Sequence, residues 1–216
     1  KEILSLYAQR KSTNGFSFKM NQVEISEFEN TFEYEETMDQ KNAINETYMD
    51  MQKIKPMDRL ICGDVGFGKT EIALRASYLS CINSKQTIVV APTTLLAHQH
   101  FNTFSKRFKD FPVRVESISR FTKTKKLEET LADLSSGRID ILIGTHKALS
   151  EKIKLENLGL IIIDEEHKFG VSAKEKIKQL KKGVDSLSIS ATPIPRTLQL
   201  SLTGLREISL ISTILF

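Results

Sequence analysis

The chain has 216 residues, of which 40% are hydrophobic. Its 31 basic and 27 acidic residues give a formal net charge of +4, which is compatible with a polyanionic partner but does not require one. Five prolines and ten glycines exclude a long low-complexity linker, and no apolar run of about 18 residues indicates a membrane span. Cys62 and Cys81 do not have the spacing of metal ligands and no signal peptide is recognisable, so we expect a reduced, cytoplasmic protein without membrane contact.

The first 53 residues have a helical pattern. Apolar residues at positions 3–7 predict an amphipathic helix, and residues 37–51 predict another with Thr37 as its N-cap. We therefore predict a helical extension over residues 1–53, ahead of one larger domain over residues 54–216.

Short apolar runs alternate with helical stretches through that larger domain. The run Leu160-Ile161-Ile162-Ile163 is apolar at every position, which is typical of a strand covered on both faces of a parallel sheet. Together with the helices between most strands, the pattern predicts an α/β fold with a doubly wound parallel sheet, whose ligands bind at the carboxyl ends of the strands. The predicted strands are 59–62, 87–91, 113–118, 140–143, 160–163 and 187–190.

Residues 63–70 read GDVGFGKT and fit the phosphate-loop pattern G-x-x-x-x-G-K-[ST] between a predicted strand and a predicted helix. Glycines let backbone N–H groups turn toward phosphates, Lys69 can reach the β and γ oxygens, and the Thr70 hydroxyl can join a Mg²⁺ shell. The alternative is a glycine-rich turn without a ligand. We predict a nucleoside triphosphate site and expect Lys69 to be solvent-accessible without nucleotide. Its binding residues are Gly63, Gly66, Gly68, Lys69 and Thr70.

The sequence Asp164-Glu165-Glu166-His167 ends a predicted apolar strand. An aspartate here can hold the Mg²⁺ that bridges the β- and γ-phosphates, and the adjacent glutamate can polarise the attacking water. The alternative is an acidic cluster solvated at a helix start, where the helix dipole favours carboxylates. Beside a phosphate loop, we interpret Asp164 as a metal ligand and Glu165 as the base, which makes Lys69, Asp164 and Glu165 the predicted catalytic residues.

Five motifs occur in the order found in superfamily 2 helicases: the phosphate loop, APTT, GTH, DEEH and SATP, the last four beginning at residues 91, 144, 164 and 190. A narrower set resembles the bacterial transcription-repair coupling factors, a family of DNA translocases. It consists of GDVGFGKTE (63–71), DEEHKFGV (164–171), and ATPIPRTL (191–198) followed by GLR (204–206).

The branch-migrating recombination helicases share much of this narrower set and are the alternative. Phe67, the Glu165-Glu166 pair and the sequence YAQR at residues 7–10 favour the coupling factors. After residue 213 the coupling factors continue through a proline-containing linker, whereas this chain reads ILF at residues 214–216, so we expect the connection to a second lobe to be absent or altered.

The resemblance implies a RecA-like first motor lobe with its preceding helices, which binds ATP and Mg²⁺ and serves an ATP-driven double-stranded DNA translocase. Such translocases push stalled RNA polymerase and recruit excision-repair proteins. The regions that do so, and the second lobe, are expected outside this chain. Because the second lobe of such motors supplies an arginine to the transition state, we expect slow ATP hydrolysis by this lobe alone.

The resemblance also assigns individual residues. Phe32 and Gln40 match the adenine-recognition segment, because an aromatic ring can stack on the base and an amide can pair with its edge; the alternative for Gln40 is a polar helix residue facing water. Other residues match positions that contact the DNA backbone without recognising the base sequence, and for each of them the alternative is ordinary capping of a loop. Those matched to DNA are Thr93, Thr94, Arg120, Thr145, His146 and Lys147, and those matched to coupling between sites are His167, Thr192 and Arg196. For Arg196, an ion pair with the DEEH motif is the alternative.

Several polar residues have plainer interpretations. His98 and His100 cannot share a metal ion, because positions i and i+2 of a helix point about 200° apart, and helix polarity is enough to explain them. We interpret two groups of lysines as parts of solvated helix faces. They are at positions 123, 125 and 126, and at positions 178, 181 and 182.

Two other classes of function compete with a DNA motor. A phosphate-loop kinase should lack the threonines at the strand ends and the SATP motif, and this chain has both. A nucleotide-gated interaction module, which binds ATP but turns it over poorly, stays open, because no arginine finger is identifiable in the sequence.

Overall fold

Helices and strands alternate along the described residues of this computed structural model, which are 13–150, 153, 155, 157–192 and 206–213. The strands are β1 (Asp58–Gly63), β2 (Gln86–Val90), β3 (Val115–Ile118), β4 (Ile141–Gly144), β5 (Leu158–Asp164), β6 (Asp185–Ser190) and β7 (Glu207–Ile211). The helices are α1 (Gln22–Glu29), α2 (Met38–Met51), α3 (Lys69–Ile82), α4 (Thr94–Arg107), α5 (Thr124–Ser135) and α6 (Val171–Leu180), none of the described helices being long and apolar enough to cross a membrane. The predicted helix near residues 3–7, Arg196 and residues 214–216 lie outside the described residues.

The seven strands form one parallel sheet in the order β3-β4-β2-β5-β6-β1-β7, which confirms the predicted fold class. Every residue of β2, β4 and β6 is buried, as expected for strands covered on both faces. The sequence pattern predicts six of these strands but not β7. As an edge strand, β7 alternates exposed and buried residues and so has no continuous apolar run.

The helices ahead of β1 share the hydrophobic core of the sheet. The ring of Phe28 in α1 is fully buried and stacks on Tyr78 of α3 and on Phe108, with centroid distances of 4.4 and 5.1 Å. Thr37 caps α2, as predicted. Its Oγ1 accepts a hydrogen bond from the Gln40 N–H (3.3 Å), and Gln40 Oε1 accepts one from the Thr37 N–H (2.9 Å).

An ionic cluster joins the segment after β5 to the end of α6 and the start of β7. Glu166 Oε1 lies 3.0 Å from Lys181 Nζ, and Oε2 lies 3.3 Å from Arg206 Nη1. Lys181 is 8% exposed, so its prediction as a solvated lysine is wrong, because the side chain pairs with the half-buried carboxylate of Glu166. Burial alone would raise the pKa of Glu166, but the two cations outweigh it and hold that pKa at about 2. The other predicted solvated lysines are exposed: Lys123, Lys125, Lys126, Lys178 and Lys182.

We expect Phe28→Ala to lower the free energy of unfolding by about 3–5 kcal/mol, because it removes a fully buried ring from the core. Val23→Ala, on the same helix but at a side chain that is 67% exposed, is the matched control and should change it by less than about 0.5 kcal/mol. Urea denaturation followed by circular dichroism measures both. Equal effects of the two substitutions would contradict the packing of α1 on the lobe.

Glu166→Gln should lower the free energy of unfolding at neutral pH, because Lys181 and Arg206 lose their carboxylate partner. The folded-state pKa of Glu166 is depressed to about 2 from an ordinary value of 4.5, so its stabilising contribution is complete above pH 4.5 and is lost as the pH falls toward 2. The stability difference between parent and variant should therefore shrink as the pH is lowered to about 3.5 in urea titrations. A difference that is constant with pH would contradict its ionic origin.

Candidate nucleotide site and nucleic-acid edge

The phosphate loop connects the end of β1 to the first turn of α3. Gly66 and Gly68 have φ angles of 87° and 74°, in the left-handed region that favours glycine. Gly63 is required by a close approach, because a Cβ there would lie 2.7 Å from the carbonyl oxygen of Ile211 in β7. Gly68 is the N-cap of α3 and has no side chain to satisfy the first N–H groups of the helix. Those N–H groups make this end of α3 suitable for an anion.

Lys69 lies within the phosphate loop rather than in solvent. Its Nζ donates hydrogen bonds to the carbonyl oxygens of Gly63 (2.7 Å) and Asp64 (2.6 Å), and the residue is 9% exposed. Burial lowers the pKa of Lys69, and the charges of Glu165 and Asp164 oppose this change. The expectation of a solvent-accessible Lys69 is therefore wrong, because the loop carbonyls provide acceptors for its ammonium group.

Asp164 and Thr70 are the residues that could hold a metal ion. Asp164 is the last residue of β5 and is 9% exposed, while Thr70 lies in the first turn of α3. Since β6 separates β5 from β1, the ends of those two strands are about 10 Å apart, which leaves space for phosphates and a cation. Mg²⁺ prefers oxygen ligands and commonly takes only one or two from protein. The Thr70 hydroxyl and the Asp164 carboxylate are oxygen donors, so they fit Mg²⁺ held jointly with phosphates. Among the described residues, no group of three or more His, Cys, Asp or Glu side chains that could hold a metal ion is found.

Glu165 is fixed by the end of β6. Its φ of 49° is left-handed, a conformation that costs a non-glycine residue about 1–3 kcal/mol. Glu165 Oε1 accepts a hydrogen bond from the Ala191 N–H (2.7 Å), and Oε2 accepts one from Ser190 Oγ (3.3 Å). Two predicted coupling residues lie next to this arrangement. Thr192 Oγ1 is 2.7 Å from Ser190 Oγ, and His167 Nδ1 is 3.4 Å from Glu165 Oε2.

Gln40 is buried against the phosphate loop. It is 2% exposed, and its Nε2 donates to the carbonyl oxygen of Phe67 (2.9 Å) while its Oε1 closes the capping box with Thr37. The alternative of a water-facing residue is therefore wrong. An adenine contact would require Gln40 to exchange these partners, and it stays a prediction. Phe32, the other predicted adenine residue, is half-buried, with the Arg75 guanidinium 5.6 Å from its ring centroid.

The predicted DNA contacts follow the carboxyl ends of three neighbouring strands. Because β3, β4 and β2 are adjacent, residues after these strands lie on one edge of the sheet. Those after β2 are Thr93 and Thr94, the one after β3 is Arg120, and those after β4 are Thr145, His146 and Lys147.

The side chains on this edge differ in exposure. Arg120, His146 and Lys147 are exposed, whereas Thr145 is only 6% exposed. The Thr93 hydroxyl accepts a hydrogen bond from the Leu96 N–H (3.2 Å), which is the capping role given above as the alternative to DNA contact. The side chains of Arg120, His146 and Lys147 are therefore available to a phosphate backbone, and the exposed Thr93 hydroxyl can still donate its O–H while it accepts from Leu96.

His100 is a site residue beyond those predicted from the sequence. Its Nε2 lies 2.8 Å from Asp164 Oδ2, and each of the two side chains is 12% exposed. His100 lies on the inner face of α4, three residues after Ala97 and four before Phe104, both of which are buried. That helical spacing was the available signal. His98, which was predicted not to share a metal with His100, is exposed.

Comparison with known proteins places this site in a family. The DEAD/DEAH box helicase family matches residues 37–201. The chain is 53% identical over 212 residues to the transcription-repair-coupling factor of Haemophilus influenzae and 51% identical over 212 residues to that of Escherichia coli. These matches cover 98% of this chain but 18% of each relative, so the chain spans about a fifth of the relatives' length.

Solved structures give the same fold. A structure of RecG bound to a three-way DNA junction matches with a TM-score of 0.81 and 32% identity, covering 97% of this chain and 29% of that one. The DEAD-box helicase Mss116 bound to ssRNA and UDP-BeF matches with a TM-score of 0.67 over 90% of this chain and 43% of that one; at 17% identity it supports the fold alone. With its phosphate loop, its Asp164-Glu165 strand end and a family match over most of its length, the chain belongs to the DEAD/DEAH box helicases.

Proposed function

We propose that this chain is the ATP-binding motor lobe of a double-stranded DNA translocase that displaces stalled RNA polymerase and couples transcription to nucleotide excision repair. The main support is that three motifs meet at the carboxyl ends of adjacent strands: the phosphate loop after β1, residues 164–165 at the end of β5, and residues 190–192 at the end of β6. The similarity of the chain to transcription-repair-coupling factors adds to this support. The alternative is the motor lobe of a branch-migrating, fork-remodelling recombination helicase. The similarity to RecG favours this alternative, but its sequence identity of 32% is lower than the identities to the transcription-repair-coupling factors.

Lys69 and the N-terminus of α3 bind the phosphates in this proposal. Phosphate oxygens are charged acceptors, so they can replace the carbonyl oxygens of Gly63 and Asp64 as partners of Lys69 Nζ. Thr70 and Asp164 would hold Mg²⁺, which when bound neutralises charge on the β- and γ-phosphates. Nucleotide binding then exchanges the internal hydrogen bonds of Lys69 for stronger ones.

Glu165 is the proposed general base. The hydrogen bonds from Ala191 and Ser190 orient its carboxylate, which can accept a proton from the attacking water. Any displacement of residues 190–192 would displace this carboxylate, so that segment is suited to link hydrolysis to events elsewhere in the lobe. In such motors an arginine worth about 10³–10⁵ in rate comes from a second lobe, so we propose that this lobe by itself hydrolyses ATP slowly.

The larger partners are proposed to bind outside this chain. Because the chain spans about a fifth of its relatives' length, regions beyond it would contact RNA polymerase and excision-repair proteins. Double-stranded DNA is the partner proposed for the lobe itself, gripped through its backbone without sequence preference. These partners are cytoplasmic in bacteria, and we propose that location.

Lys69→Ala should remove most of the affinity for Mg-ATP, because it deletes the cation that faces the β- and γ-phosphates. Titration with a fluorescent ATP analogue measures the affinity, and circular dichroism shows whether the variant is folded. Lys125→Ala, at an exposed lysine of α5, is the matched control and should bind like the parent. Parent-like affinity of folded Lys69→Ala would contradict the nucleotide site.

Arg120→Ala should weaken binding of two unrelated DNA duplexes about equally and flatten the salt dependence of log K by nearly one unit, because one phosphate neutralisation is lost. Arg138→Ala is the control, since Arg138 is also exposed but lies just before β4, at the opposite edge of the sheet, where its guanidinium pairs with Asp133 (2.7 Å). Fluorescence anisotropy across a salt series measures both variants. If Arg120→Ala and Arg138→Ala have the same effect, the proposed DNA edge is wrong.

A further inference from the structure

His100 makes a contact that joins the edge proposed for DNA to the nucleotide site. His100 lies in α4, the helix that begins just after β2, and its imidazole ring reaches the end of β5. There, His100 Nε2 and Asp164 Oδ2 are 2.8 Å apart. A carboxylate oxygen accepts, so the imidazole N–H donates. This contact is outside the motif that contains Asp164.

Both partners of this hydrogen bond are held in place. The His100 ring meets the ring of Phe104 edge-on, with centroids 6.4 Å apart, and Phe104 is fully buried in the core. Asp164 is fixed at the backbone by its place in β5, beside β6. The remaining freedom is rotation of the Asp164 carboxylate, and the bond to Oδ2 limits it. Among the described residues, no hydrogen bond to the other carboxylate oxygen, Oδ1, is found.

We propose that His100 is a positioning residue for the magnesium-binding carboxylate. By holding Oδ2, His100 orients Asp164 so that Oδ1 faces the phosphate loop before a cation arrives. Hydrogen bonds to metal-ligating side chains commonly improve metal affinity by about 10- to 100-fold, because the ligand loses less freedom on binding. The inference rests on the proposed nucleotide site and adds to it a residue from α4.

A purely structural role for His100 makes a different prediction. If the histidine only filled space in the core, its replacement would weaken nucleotide binding equally with and without metal, or would change nothing but stability. A positioning role instead affects the step that needs Asp164. The Mg²⁺ concentration required for tight nucleotide binding therefore separates the two roles.

The experiment measures binding of a fluorescent ATP analogue to the 216-residue chain, first in EDTA and then across a Mg²⁺ titration. His100→Phe keeps a ring but removes the donor. His100→Gln places an amide N–H near the position of the imidazole Nε2, whereas His100→Asn is one bond too short to reach it. His98→Phe, at an exposed position of the same helix, is the matched control.

We expect His100→Phe and His100→Asn to raise the half-saturating Mg²⁺ concentration by about 10- to 100-fold while leaving metal-free affinity unchanged. His100→Gln and His98→Phe should stay close to the parent. The Gln and Asn pair carries the test if the Phe variant does not fold. An unchanged Mg²⁺ requirement, or an equal loss of affinity in EDTA, would overturn the inference and leave the nucleotide site intact. A parent chain that binds no better with Mg²⁺ would contradict the proposed metal site itself.

Discussion

The parallel pairing of β6 between β5 and β1 is the constraint on which the site depends. It sets the phosphate loop and Asp164 two strands apart, which leaves room for phosphates and a cation between them. It also puts the end of β6 against Glu165, where the Ala191 N–H and the Ser190 hydroxyl bond the carboxylate. A change in that pairing would separate three groups that lie far apart in sequence.

The charged and polar groups of the site already have partners within the protein. Lys69 donates to two loop carbonyls, Gln40 donates to Phe67, and Asp164 accepts from His100. A buried charge without a partner would be costly, so these contacts stabilise the lobe in the absence of nucleotide. In the proposed function, nucleotide binding would rearrange this existing hydrogen-bond network. The Gln40 contact matters to that proposal, because it ties the first turn of α2 to the phosphate loop.

Features set by local chemistry could be predicted from the sequence, whereas those set by distant contacts could not. The glycine-rich loop and the Thr37 cap each depend on a few consecutive residues, and both appear as predicted. The solvent exposure predicted for Lys69 and Lys181 was wrong, because each lysine finds acceptors that only the folded chain brings near. The hydrogen bond of His100 is of the same kind, since its partner is 64 residues away along the chain, and the local spacing in α4 could indicate only that His100 faces inward.

A structure of the chain bound to Mg²⁺ and a non-hydrolysable ATP analogue would test the proposed exchange of partners most directly. We expect Lys69 Nζ to leave the carbonyl oxygens of Gly63 and Asp64 for the β- and γ-phosphates, with Mg²⁺ between Thr70 and Asp164. The hydrogen bond from His100 to Asp164 should persist. An analogue bound elsewhere, or bound in the loop while Lys69 keeps both carbonyl partners, would contradict the proposed nucleotide site.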